Sequence, residues 1–96
     1  MNHDEINKQL LEIVKQLSGR LIEKHKYEKE YYQKYYKLLL GSPMTNMLKQ
    51  EAEAKATMFE DPIYDLYQEA KLQIKLLEIE KEVYIEIGRN LRNYEK

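Results

Sequence analysis

The sequence predicts an all-α fold of three unequal helices, at about 4–40, 43–60 and 62–94, packed as an elongated antiparallel hairpin or bundle completed by oligomerisation. Three observations carry this. Charged residues make up 34% of the chain, against only three glycines and two prolines, a mixture that belongs to long helices rather than to sheets or disorder. Apolar residues recur at three- and four-residue steps along most of the length, as they do on one face of a helix. The pattern is punctuated at two places, Gly41-Ser42-Pro43 and Asp61-Pro62. At 96 residues the chain is a single helical domain, near the size where one core is just adequate.

The first helix opens at Asn2, three residues before Glu5, a spacing that suits a capping box in which each side chain takes a backbone N–H. Ile6, Leu10, Ile13, Val14, Leu17 and Leu21 then form a stripe. Continued at the same angle, the stripe meets Lys24 and Glu28 before Tyr31, Tyr32, Tyr35, Leu38 and Leu39 restore it. Polar groups on a seam cost stability but can fix register and partner choice, and their long stems can also carry the charge out to water. Gly19 costs about 1 kcal/mol relative to alanine, so a bend there is conceivable, but the helix is read as continuous.

At the first break, Gly41 can close a helix in the left-handed conformation, Ser42 can cap the next one, and Pro43 suits a first helical position because its missing N–H would be unpaired there. The second helix carries Met44, Met47, Leu48, Glu51, Ala52, Lys55, Met58 and Phe59 at helical steps. Its methionines could form an adaptable binding surface, though core packing is the favoured reading. At the second break, Asp61 is a good N-cap and Pro62 pushes its predecessor away from helical dihedrals. A true turn is favoured over a kink in one long helix.

The third helix has apolar residues on more than one side. At about 100° per residue, Ile63, Leu66, Tyr67, Ala70, Ile74, Leu77, Tyr84, Ile85, Gly88 and Leu91 share one broad face. Leu72, Leu76, Ile79, Val83, Ile87 and Tyr94 form a second. Only the arc holding Lys71, Lys75, Glu78, Glu82, Glu86, Arg89 and Asn93 is uniformly polar. A surface helix needs one apolar stripe of roughly 100°, so the excess must be covered by a second helix or a second protomer. The lengths agree: at 1.5 Å per residue the outer helices run about 55 and 50 Å and the middle one about half of that. A dimer is the favoured way to cover the remainder, with Leu72, Leu76, Ile79, Val83 and Ile87 as the candidate interface.

The formal net charge of −1 gives no global reason to expect nucleic acid or a membrane surface. No cysteine is present, which excludes disulfides and thiolate metal sites. The polar, acidic start lacks a signal-peptide pattern, and no apolar run approaches the ~20 residues of a membrane span. A soluble, cytoplasmic protein is expected.

Candidate chemistry is sparse. Lys15 to Lys37 holds seven basic and three acidic residues, and His25 to Leu40 holds five tyrosines. Aromatics among lysines can stack on and neutralise single-stranded nucleic acid, which makes Lys15, Lys24, Lys26, Tyr27, Lys29, Lys34, Tyr36 and Lys37 a candidate contact set. Tyr31, Tyr32 and Tyr35 lie on the extended core stripe, so packing is the favoured reading, with tyrosine hydroxyls at the boundary. Glu23, His25 and Glu28 do not converge on one face, and two histidines in all fall short of the ligand count a metal site needs. No phosphate-binding loop or activated nucleophile is present. Glu78, Glu82 and Glu86 recur every four residues as a solvated face, with i,i+3 partners in Lys81 and Arg89. No catalytic residue, metal or cofactor is expected.

The run PMTNMLKQEAEAKATMFEDPIYDLYQEAKLQIKLLEIEKEVYIEIGRNLR resembles small helical-hairpin proteins of unknown function from early regions of phages and prophages. In those a short polar helix rich in Glu and Ala precedes a long closing helix that ends near Asn-Leu-Arg, here Asn90-Leu91-Arg92. The resemblance covers about the last two-thirds of the chain and carries no functional residue. It implies an accessory protein of a mobile element. Together these readings favour a non-enzymatic helical module for protein–protein interaction or assembly. A nucleic-acid-binding accessory factor in replication or recombination, acting through the Lys/Tyr-rich face of the first helix, is the alternative.

Overall fold

The computed structural model describes residues 1–43 and 45–95, and their side chains as far as Asn93. Within them the fold is all-α, with helices α1 (His3–Gly41), α2 (Met47–Phe59) and α3 (Pro62–Glu95). Met44 and the Tyr94 side chain, both assigned to apolar stripes from sequence, lie outside the described residues.

Each helix starts where a side chain takes an orphan backbone N–H. Asn2 Oδ1 accepts from the Glu5 N–H at 2.9 Å, and Asp4 and Glu5 in the first turn complement the positive end of the helix dipole. The helix runs unbroken through Gly19, where Ser18 Oγ donates to the Val14 carbonyl at 3.1 Å. Its end differs from the sequence expectation. No described glycine has positive φ, and Gly41 is the last helical residue, closed by a Ser42 N–H to Leu39 O bond of 3.3 Å. The start of α2 differs too, falling at Met47 instead of 43. Asn46 is the cap: its backbone is extended and its Oδ1 accepts from Leu48 and Lys49 N–H at 2.9 and 3.3 Å. Asparagine caps at least as well as serine. The Ser42 hydroxyl donates to Glu53 of α2 at 3.4 Å. Asp61-Pro62 is a true break. Asp61 Oδ1 accepts from Ile63 N–H at 2.9 Å, and Pro62 takes the first position of α3.

The helices form two compact units, one of Met1–Ile22 with Leu72–Lys96 and the other of Glu23–Lys71. The first is a pair of antiparallel helix segments. Ile13 and Leu17 of α1 cluster with Ile74 and Leu77 of α3, and Tyr84 packs against them. Farther along, Ile6 lies 3.9 Å from where a Cβ on Gly88 would stand. These positions run in opposite directions along the two helices, which fixes the pairing as antiparallel. Val14 and Leu21, placed on the core stripe from sequence, are exposed. One partner helix covers only the centre of a stripe, and these two sit at its edge.

The second unit holds parts of all three helices. Ala54 and Met58 of α2 are buried, with Ile63, Tyr67 and Ala70 of α3. The stripe read for α2 is therefore only partly the buried one: Met58 is core, while Met47, Leu48 and Phe59 are exposed. The interruption of the α1 stripe resolves inside this unit. Glu28 is half-buried and near enough to Tyr67 to raise the pKa of its hydroxyl. The polar group on this seam thus has a neighbour within the chain.

Candidate functional site

The two faces read on α3 separate cleanly. Ile63, Tyr67, Ala70, Ile74, Leu77 and Gly88 are buried and Tyr84, Ile85 and Leu91 half-buried, with Leu66 the exception on the exposed side. Leu72, Leu76, Ile79 and Val83 keep 49, 49, 53 and 53% of their surface, and Ile87 is half-buried. At 100° per residue these five point away from the line of Ile74 and Gly88. The candidate interface is thus an unpartnered apolar strip on the back of α3, brought together as its spacing demands. Beside it Ile79, Glu82, Val83, Ile85, Glu86 and Arg89 line an open concavity of about 530 Å³. The polar arc is exposed throughout, and Arg89 pairs with Glu86 at 3.3 Å.

Of the Lys/Tyr set, Lys15 belongs to the first unit and the other seven residues to the second. Along α1, Lys26, Lys29, Tyr36 and Lys37 fall within one exposed arc of about 100°, whereas Lys24 and Tyr27 turn to the half-buried side. Lys34 is tied down, 3.3 Å from Asp61 and 3.8 Å from Glu30. The Asp61 carboxyl is held below its ordinary value by the Ile63 N–H, and further by Lys34.

The tyrosines form a connected aromatic cluster. Tyr31 lies 5.6 Å from Tyr67, 6.3 Å from Tyr64 and 5.2 Å edge-on to Tyr32, and Phe59 lies 5.1 Å from Tyr64. Lys71 Nζ sits 4.3 Å over the Tyr67 ring, a cation–π contact. Burial, then the neighbouring tyrosines, pushes the Tyr31 hydroxyl up. For Tyr67 burial acts first and Glu28 next. Tyr31 and Tyr35 are packed as the core reading expects, while Tyr32 joins Tyr36 on the exposed side. Sequence reasoning missed the Lys34–Asp61 and Glu28–Tyr67 ties. Each joins residues far apart in the chain, and no local pattern announces such a pair.

Among the described residues no group of three or more His, Asp or Glu is placed to hold a metal ion, and no helix is long and apolar enough to cross a membrane. Comparison with protein-family models, curated proteins and solved structures finds no match to this chain.

Proposed function

We propose that the protein is a non-enzymatic helical module for protein–protein interaction and assembly, working by offering the back of α3 to another helix. The observation that carries this reading is the strip of Leu72, Leu76, Ile79 and Val83, each about half exposed on the side of the helix away from its core. Apolar strips of this kind cost free energy in water and gain about 25 cal/mol for each Å² covered. The spacing is that of a helix-in-groove or helix–helix contact, which uses anchors three and four residues apart. An accessory role of this type accords with the phage early-region proteins that the closing two-thirds of the chain resembles.

The test is the mass of the purified chain in solution at micromolar concentration, beside a variant carrying Leu76→Lys and Val83→Lys. The wild type is expected to sediment as an oligomer. The variant is expected to keep its helical circular dichroism and to sediment as one chain. A wild-type mass of one chain would count against assembly. An unfolded variant would place these residues in the internal core.

A further inference from the structure

The strip on α3 has a regular spacing and a charged edge, and together they specify what covers it. Leu72, Leu76, Ile79, Val83 and Ile87 advance by four, three, four and four residues. That average, 3.75, slightly exceeds the 3.6 residues of a helical turn, so the line drifts by only about 60° around the helix from Leu72 to Ile87. The line is about 22 Å long. Its midpoint, shared by the pairs Leu72 and Ile87 and Leu76 and Val83, lies between Ile79 and Glu80. One edge carries Lys75, Glu82 and Glu86 within about 40° of one another, all three exposed. The charge on that edge changes sign across the midpoint.

We infer that a second copy of this chain covers the strip, laid antiparallel across the midpoint, so that Lys75 of each copy meets Glu82 and Glu86 of the other. This rests on the assembly reading above and specifies its geometry. A two-fold axis through the midpoint brings like edges together, and only then does the sign change become complementarity, twice over. A parallel pairing brings opposite edges together. It offers Lys75 only Glu80 and leaves Glu82 and Glu86 beside Ile87 and Leu91. The antiparallel arrangement has two costs: Glu80 of each copy lies close to the axis and faces its counterpart, and Arg89, already paired with Glu86, comes opposite Lys71 of the other copy.

The absence of cysteine makes disulfide trapping of the full-length chain unambiguous. Single variants Leu72→Cys, Ile79→Cys and Ile87→Cys, all at sites outside the internal core, are oxidised alone and as a mixture. Antiparallel pairing predicts that Ile79→Cys crosslinks to itself, that Leu72→Cys does not, and that Leu72→Cys mixed with Ile87→Cys does. Lys75→Glu should weaken association by about tenfold, and adding Glu82→Lys with Glu86→Lys should restore it. Glu80→Gln should tighten association a few-fold. Self-crosslinking of Leu72→Cys as fast as Ile79→Cys, with Glu80→Gln weakening association, would establish parallel pairing. That result would overturn this inference while leaving the assembly reading intact. No crosslink at any position, together with a mass of one chain, would overturn both.

Discussion

Gly19 and Gly88 are both helical glycines, but only one of them sits in the core. A Cβ at Gly19 would meet nothing within 4 Å, and one at Gly88 would meet only Ile6 Cγ2 at 3.9 Å, an ordinary van der Waals distance. Neither position needs the conformational freedom that glycine brings, so each carries the entropic penalty of a mid-helix glycine. Gly19→Ala should raise stability by about 0.5–1 kcal/mol, read from denaturant midpoints at unchanged slope. Gly88→Ala should raise it by at least as much, because the new methyl makes an ordinary contact with Ile6. At Asp61 the effect depends on pH. Its carboxyl is held below the ordinary 3.8 by the Ile63 N–H and by Lys34. A depressed folded-state value means that the unfolded chain takes up the proton first as pH falls. The stabilisation is therefore complete well above 3.8 and disappears as pH falls below it. Asp61→Asn should flatten the acid limb of a melting-temperature profile and leave the alkaline limb unchanged. An acid limb as steep as wild type would show that Asp61 titrates alike in both states.

At the scale of elements, the helix boundaries are set by caps, and the second boundary illustrates how local signals compete. Ser42-Pro43 and Asn46 are both plausible starts for α2, only four residues apart, and hydropathy does not choose between them. Asn46 prevails with two N–H bonds to its side chain, while Ser42 is joined to Glu53. Asn46→Ala should therefore cost about 1 kcal/mol in thermal or denaturant unfolding, with Ser42→Ala well below it. Equal losses would put the start of α2 at the serine after all. The buried face of α2 is hard to read for a related reason. The helix has 13 residues, few of them large and apolar: Met47 shares a line with Ala54 and Met58, while Leu48 and Phe59 lie about 100° round the helix. Burial follows the line of Ala54 and Met58, and Met47 is exposed because it stands in the first turn. The long helices were legible because many residues vote on each face. On α3 the angular reading separated buried Ile74 and Leu77 from exposed Leu76 and Val83 without knowledge of any partner. On α1 the same reading put Tyr32 inside, although it lies at the edge of the stripe, where one neighbouring helix does not reach.

At the scale of the whole molecule, apolar area weighs more than any single exposed contact. Exposed charged pairs such as Glu86–Arg89 contribute at most about 1 kcal/mol, whereas each Å² of the apolar strip of α3 that a partner covers gains about 25 cal/mol. The pairing of segments also carries a consequence for how the chain folds. Tyr31 reaches Tyr64 and Tyr67 by closing a loop of less than half the chain, whereas Ile6 reaches the neighbourhood of Gly88 only by closing nearly all of it. Each doubling of loop length costs about 0.6 kcal/mol of closure entropy, and the short-range pairing is the one that forms early. Residues 23–71 are therefore expected to gain amide protection before the two outer segments in pulsed hydrogen exchange. Until they join, the later part of α3 carries two bare apolar faces, its future core and its back. A refolding chain is thus expected to be most adhesive just before that closure, and the proposed antiparallel fit of Lys75 to Glu82 and Glu86 would favour ordered pairing over indiscriminate clumping.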